Sequence, residues 1–217
     1  MQLPRKRVLI IYYSFTQQTK LQLKKFIAGL ESAGIEVSQE RLEPLDPYEF
    51  PFKSNVGLAM AMVRTFFRRR MTIRPVAEQC FGPWDCIVLA GPTWSYHPSG
   101  PMLDFLDRYG RQVCGGRMVI PFISCRSYWQ LHYWTIKGYL RRYGAIVEKP
   151  VVFTHPIREP WRLIGLVLQL RGKMVRRENS WFRRHYPGYG HSKEQGTEAL
   201  EKGRALGEKL LGDEGRG

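Results

Sequence analysis

Three hydroxyl side chains occupy a six-residue stretch in which an apolar run gives way to an amphipathic one. The run "RVLIIYY" (7–13) is followed by Ser14, Thr16 and Thr19 and then by apolar residues at helical spacing. A turn from a strand into a helix presents free N–H groups and the positive end of the helix dipole, and hydroxyls add hydrogen-bond donors there. The stretch therefore predicts a phosphate site. Helix capping remains the alternative, since Ser and Thr are common N-caps. The glycines of Walker and dinucleotide motifs are absent.

The apolar segments around this turn alternate between strand and helix patterns. Strands are predicted at 7–13, 35–42, 84–91, 117–124 and 145–155, and helices at 17–32, 101–110, 128–144 and 194–211. This alternation predicts an α/β fold, a doubly wound five-stranded parallel sheet. Ligands of such sheets bind beyond the carboxyl ends of the strands, where the hydroxyl turn would lie.

The length of 217 residues suits a single domain, 1–217, with two basic helical insertions at about 46–81 and 156–191. The four cysteines have no metal-ligand spacing, so reduced thiols in a cytoplasmic protein are expected and no metal site is predicted. No apolar run reaches the roughly 20 residues that a membrane-spanning helix needs.

At three loops the chain resembles the flavodoxin-like superfamily. The stretch 14–19, "SFTQQT", is similar to the loop that binds the phosphate of flavin mononucleotide (FMN) in that superfamily, although Phe15 and Gln17 stand where small residues are common. The stretch "GPTWSYHPSGPMLDFLDR" (91–108) resembles the loop after strand three of flavodoxin-like reductases, and "ISCRSYW" (123–129) occupies the remaining loop position. The resemblance covers 7 to about 153 and the last helix, and it implies a flavodoxin-like fold with bound FMN.

The resemblance also implies which residues form the cofactor site. They are Ser14, Phe15, Thr16, Gln17, Gln18 and Thr19, then Pro92, Thr93, Trp94, Ser95 and Tyr96, then Ser124, Cys125, Arg126 and Tyr128. Trp94 and Tyr96 would stack on the flat ring system, and Arg126 would stabilise negative charge on the reduced ring. His97 would donate a proton to a quinone oxygen. Core packing for Trp94 and solvated positions for Arg126 and His97 are the alternatives.

A narrower resemblance rests on "YEFPFKS", "ISCRSYW", "LRRYGAIVEKPVVFTH" and "HYPGYG". These segments are similar to a bacterial flavodoxin-like group labelled dialkylresorcinol condensing enzyme. Thiolase-type condensation needs a Cys nucleophile with His partners, and the chain shows no recognisable arrangement of that kind. We therefore take from the label only an association with aryl-lipid metabolism.

Two function classes follow from these resemblances. One is an FMN oxidoreductase that uses NAD(P)H as co-substrate and reduces a lipophilic quinone-like or aromatic small-molecule acceptor. The other is a non-catalytic flavodoxin-fold accessory protein in aryl-lipid biosynthesis. The resemblance implies acidic chains for flavodoxins that only carry electrons, and the net charge of +15 therefore favours a reductase over a carrier.

Most of the positive charge lies in the two insertions. The stretch 53–74 has six basic and no acidic residues, and 157–185 has eight basic and two acidic residues. A helical apolar stripe is formed by Val56, Ala59, Met60, Val63 and Phe67, and a second apolar arc contains Trp161, Ile164 and Leu168. Apolar helices beside arginines predict peripheral contact with an anionic membrane, on the inner face, through Lys53–Arg74 and Ile157–His185. A lid over the pocket and a homodimer contact remain open, and nucleic acid is disfavoured because no binding motif is present.

Overall fold

The computed structural model describes residues 5–173, 186 and 190–212. Strands and helices alternate as the apolar pattern predicts, and the α/β class is confirmed. Their order is β1 (Arg7–Tyr12), α1 (Gln18–Ser32), β2 (Glu36–Arg41), α2 (Asn55–Phe66), a 3-10 helix (Glu78–Phe81), β3 (Cys86–Trp94), β4 (His97–Pro98), α3 (Gly100–Arg108), α4 (Gly110–Cys114), β5 (Met118–Cys125), α5 (Gln130–Arg142), β6 (Ile146–Val147), β7 (Val151–Thr154), α6 (Trp161–Leu170) and α7 (Lys193–Gly212).

The sheet is parallel in the order β2-β1-β3-β5, with β6 and β7 both paired to β5. Strands β1, β3 and β5 have neighbours on both sides and helices on both faces, so their side chains are almost all buried. This burial explains the continuous apolar runs that mark these strands in the sequence.

The sheet contains seven strands, and the prediction of five is wrong in number for two reasons. The fifth predicted strand is split, because the three residues 148–150 lie opposite only two residues of β5, Ile120 and Pro121. Pro121 and Pro150 both lack the N–H that a ladder hydrogen bond requires. The third strand runs past Gly91 to Trp94, where a two-residue turn leads into the short antiparallel strand β4.

Helices cover both faces of the sheet. One core cluster packs α3, α4 and α5 on one face, and the other packs α1 and α7 on the opposite face. Helices α1 and α7 approach so closely that a Cβ at Gly203 would lie 2.0 Å from the carbonyl oxygen of Phe26. This contact joins the last helix to the helix that follows the hydroxyl turn.

The two basic segments contain the helices α2 and α6. Helix α2 begins after Ser54, whose hydroxyl accepts the N–H of Gly57 at 2.9 Å. Helix α6 covers the first part of the second segment, and positions 174–185 of that segment lie outside the described residues. In the described part of the chain no helix is both long and apolar enough to cross a bilayer. The single-domain organisation with two insertions stays a prediction.

Candidate functional site

A cavity of about 600 Å³ lies beyond the carboxyl ends of β1, β3 and β5. Residues from all three predicted loops line it, as do the inner faces of α2 and α6. Of the residues predicted for the cofactor, those in the cavity wall are Phe15, Thr16, Gln18, Thr19, Pro92, Thr93, Trp94, Ser95, Tyr96, Ser124, Cys125, Arg126 and Tyr128. Loops that are far apart in the sequence therefore meet at one place, because parallel strands end at the same edge of the sheet.

Two residues of the first loop, Ser14 and Gln17, do not line the cavity. The hydroxyl of Ser14 is buried and accepts the N–H of Lys20 at 3.3 Å, which fits the capping alternative for this one hydroxyl. Gln17 precedes α1 in a left-handed conformation with φ of 65°, and its side chain makes no cap hydrogen bond. Thr16, just before α1, and Thr19, in its first turn, therefore provide the hydroxyls of this loop that line the cavity.

The second loop has a strained backbone. Ser95 and Tyr96, with φ of 43° and 74°, form the turn between β3 and β4. A two-residue hairpin favours positive φ, but residues with a Cβ adopt it at a cost, so Asn and Gly are the usual residues. Helix α2 holds this turn, since the Ser95 hydroxyl lies 2.7 Å from that of Thr65 and donates to the carbonyl of Met62 at 3.1 Å.

Aromatic rings form part of the cavity wall. The rings of Tyr96 and Tyr128, from the second and third loops, lie 5.6 Å apart at an interplanar angle of 48° and make one continuous surface. Trp94 lines the cavity and also packs in edge contacts against Tyr13 at 5.5 Å and Phe15 at 5.8 Å. Trp94 thus combines core packing with a place in the cavity wall.

The third loop brings a cation to the cavity. Arg126 lies 3.9 Å from Glu159, which is paired more closely, at 3.0 Å, with Arg162. The Nη1 atom of Arg126 is buried and has no hydrogen-bond partner among the described residues. Burial lowers the pKa of Arg126 below its ordinary value, and Glu159 opposes that shift. Arg126 therefore holds an unused donor beside the cavity.

A serine–histidine pair at the end of β5 has defined proton positions. Gln195 donates its amide N–H to the carbonyl of Thr154 at 2.7 Å, so its oxygen, Oε1, faces Nδ1 of His191 at 3.3 Å. His191 must then donate from Nδ1 and accept at Nε2, where the Ser124 hydroxyl lies at 2.8 Å. Ser124 consequently donates to His191, and its oxygen keeps lone pairs for a ligand.

A second histidine lines the same wall. His155 stacks on the buried ring of Tyr186 at 5.6 Å, with the two planes 13° apart. Tyr186 packs against α6 at Gly165, where any Cβ would lie 2.3 Å from its ring. Burial lowers the pKa of His155 to about 4, so this imidazole is neutral at neutral pH.

His97 does not line the larger cavity. It lies in a second, shallower cavity of about 450 Å³ with Phe66, Phe67 and Trp134. Its Nδ1 atom is buried without a partner in the described chain, and burial together with Arg68 lowers its pKa. The predicted role of His97 as a proton donor stays a prediction, and in this geometry it would act from the neighbouring groove.

Sequence analysis missed His155, Tyr186, His191 and Arg162 as parts of the cavity wall. Ser124 and His191 are 67 positions apart, so no local spacing reveals their hydrogen bond. The available signals were the resemblance segments "LRRYGAIVEKPVVFTH" (140–155), which ends at His155, and "HYPGYG" (185–190), which contains Tyr186; His191 and Arg162 lie in neither. In the described part of the chain, no three His, Cys, Asp or Glu side chains are grouped as metal ligands would be.

No protein-family model matches the chain, and no curated protein sequence matches it at a significant level. Several solved structures are similar to the chain. A flavodoxin from the domain Archaea is similar with a TM-score of 0.55 and 14% identity, over 94% of this chain and 99% of that one. A putative flavoprotein from Bacteroides eggerthii DSM 20697 also has a TM-score of 0.55, with 16% identity over 70% and 90% of the two chains. The flavodiiron protein from Giardia intestinalis has a TM-score of 0.52 and 13% identity, over 96% of this chain and 37% of the longer one. At these identities the likeness concerns architecture, and the chain has the flavodoxin-like fold.

Proposed function

We propose that the protein binds FMN in the larger cavity and uses it as an NAD(P)H-dependent oxidoreductase for a lipophilic quinone-like or aromatic acceptor. The observation that carries this proposal is the single cavity in which Thr16 and Thr19, the Tyr96–Tyr128 wall and Arg126 meet. Solved structures described as a flavodoxin and a putative flavoprotein share the fold and support a flavin as the ligand.

The cavity fits the parts of FMN. Its volume of about 600 Å³ lies within the range of ordinary cofactor pockets. The first turn of α1 lacks acidic residues, and Ser14 caps only the N–H of Lys20, so the other N–H groups of that turn and the hydroxyls of Thr16 and Thr19 suit the phosphate. The orphan Nη1 donor of Arg126 suits a ring oxygen or nitrogen that becomes negative on reduction. FMN is chosen over riboflavin because only the phosphate uses this helix terminus.

Part of the remaining cavity wall is apolar and would receive the acceptor. Bound FMN would supply hydride-transfer chemistry, by which NAD(P)H, a proton and a quinone would become NAD(P)⁺ and a hydroquinone. Leu58, Leu166 and Leu170 from α2 and α6 contribute apolar surface against which an aromatic acceptor packs. Ser124, held by His191, and the neutral His155 are the groups that hold or deliver protons in the cavity.

A non-catalytic role in aryl-lipid biosynthesis is the second candidate. Phe15 favours it, because this bulky ring stands in the first loop and packs against Phe50 and Trp94. Without flavin, the same apolar cavity would hold the aryl group of a lipid precursor. Condensation by a cysteine is disfavoured for either role, since burial raises the pKa of the Cys125 thiol to about 12 and leaves little nucleophilic thiolate at neutral pH.

Purification with added FMN, followed by an absorption spectrum, separates the two candidates. The oxidoreductase proposal requires a yellow protein whose flavin absorbance bleaches anaerobically with NADH or NADPH and recovers when a lipophilic quinone is added. A yellow protein that neither nicotinamide bleaches contradicts the oxidoreductase part. A colourless protein that takes up no FMN contradicts flavin binding and favours the accessory role.

A further inference from the structure

The outward face of α2 is apolar and uncovered. Only Leu58 and Ala61 of this helix are buried, and both point to the body of the protein. The stripe that the sequence analysis identified faces solvent, with Val56 73% exposed and Phe67 76% exposed. A twelve-residue helix with so little burial gains little stability from this stripe, and exposed apolar surface of this kind marks an interaction site.

The apolar stripe continues onto α5. Phe66 and Phe67 line the shallow second cavity together with Leu131 and Trp134, the latter 63% exposed. Val63, Phe66 and Phe67 also line the larger cavity, so this surface adjoins the proposed active site. We call it the carboxyl-edge surface and define it by Val56, Met60, Val63, Phe67, Leu131 and Trp134, all of which are exposed.

The helices near this surface contain no acidic residues. Helices α2, α5 and α6 contain no Asp or Glu. Arg64, Arg68 and Arg69 are exposed, and none of the described acidic residues lies within ion-pairing distance of them. Arg70, in contrast, is paired with Asp107 at 2.7 Å. These three guanidinium groups therefore have no acidic partner in the described part of the chain, and they flank the apolar stripe where an anion can reach them.

We propose that the carboxyl-edge surface docks on an anionic lipid bilayer. A helix lying in a bilayer interface needs apolar and aromatic side chains on one face and cations beside them, and Phe67, Trp134 and the unpaired arginines provide both. An anionic headgroup layer matches a row of unpaired cations, whereas a second copy of this chain would bring the same positive charges together. Docking does not depend on the flavin. It would place a lipid-soluble acceptor beside the larger cavity, and that consequence rests on the proposed function.

Co-sedimentation of the full chain with vesicles tests this surface. The wild type is compared on phosphatidylcholine vesicles and on vesicles that also contain phosphatidylserine. Arg68→Gln/Arg69→Gln removes two charges from the surface, and Arg141→Gln/Arg142→Gln removes two exposed charges from the last turn of α5. Phe67→Ser removes apolar area, with Leu211→Ser, 43% exposed at the end of α7, as its control. Far-ultraviolet circular dichroism and urea unfolding verify that every variant is folded.

We expect binding to the anionic vesicles only, with a partition coefficient that falls as salt rises, because the screening length drops from about 10 Å at 0.1 M to about 3 Å at 1 M. Arg68→Gln/Arg69→Gln lowers the partition coefficient on the order of 30-fold, and the Arg141/Arg142 control lowers it by less than about 3-fold. Phe67→Ser also lowers it, and Leu211→Ser does not. Quenching of Trp134 fluorescence by brominated lipid, judged against Trp134→Phe, reports insertion.

Several results would overturn docking. They are the absence of binding to either vesicle, equal binding to neutral and anionic vesicles, and equal losses in the surface and control variants. Self-association without vesicle binding, abolished by Phe67→Ser in sedimentation velocity, would assign the surface to a homodimer. A colourless protein that binds anionic vesicles leaves docking intact while contradicting the flavin proposal, so the two failures are distinguishable.

Discussion

The hydroxyl of Thr19 offers a direct test of phosphate binding. Thr19 is only 2% exposed, yet it lines the larger cavity in the first turn of α1. Thr19→Val replaces this hydroxyl by a methyl group of similar shape, so little packing volume is lost. A hydrogen bond to a charged group contributes about 1.5–3 kcal/mol, which corresponds to roughly a 10- to 150-fold loss of FMN affinity.

Riboflavin provides the reference ligand, because it lacks the phosphate and should lose less than about 3-fold in affinity. The ratio of the two dissociation constants therefore isolates the phosphate contact. Flavin fluorescence quenching at fixed pH and ionic strength measures both constants on the same preparation. In Thr19→Val the ratio of the FMN dissociation constant to the riboflavin dissociation constant should rise by nearly as much as the FMN dissociation constant itself.

Ser14→Ala is the matched control. The Ser14 hydroxyl accepts the N–H of Lys20 and does not line the cavity. Its removal should cost about 0.5–2 kcal/mol of unfolding free energy, as loss of a cap does, without changing the ratio of FMN to riboflavin affinity. Equal losses of both flavins in Thr19→Val would show that the loop acts through folding, and an unchanged FMN affinity would refute the phosphate contact.

Three further predictions concern other parts of the site. At Tyr96, with φ of 74°, Tyr96→Gly should be about 1 kcal/mol more stable to urea than Tyr96→Ala, because only Ala keeps a Cβ in the left-handed region; the opposite order would mean that the turn relaxes. Arg126→Met should lower the midpoint potential of bound flavin by about 30–60 mV through loss of one charge-assisted donor, measured by dye equilibration, and an unchanged potential would show that its free Nη1 does not meet the ring. Burial lowers the pKa of His132 from 6.5 to about 3. As the pH drops below 6.5, the unfolded chain binds a proton at this histidine and the folded chain does not. The free energy of unfolding therefore falls, with a slope approaching about 1.4 kcal/mol per pH unit. Urea unfolding at several pH values should show a shallower acid loss for His132→Gln, and parallel curves would refute that contribution.

Much of the fold could be predicted because burial leaves a local pattern. Strands covered on both faces read as continuous apolar runs, and this was enough to locate β1, β3 and β5. The break in the fifth predicted strand has no such local pattern. It depends on how many residues of that strand lie opposite the residues of β5, and this is a property of the pair of strands. The three loops of the predicted cofactor site come together in the cavity because strand direction and sheet order place their ends at one edge.

Contacts between distant segments left no such pattern. The Ser124–His191 hydrogen bond and the stacking of His155 on Tyr186 join segments that only the folded sheet brings together. Residues that are adjacent in the sequence can also be separated by the fold. Tyr96 enters the larger cavity, whereas His97 points to the adjoining groove. A turn with two positive φ values decides this difference, and side-chain identity does not reveal it.

The sequence by itself determined the alternation of strands and helices, the hydroxyl turn before α1 and the helical stripe on α2, because each follows from residue types at short spacing. The tertiary structure alone decided which way that stripe faces and which arginines lack acidic partners among the described residues. A periodic pattern specifies a face of a helix, whereas its burial depends on what the rest of the chain packs against it.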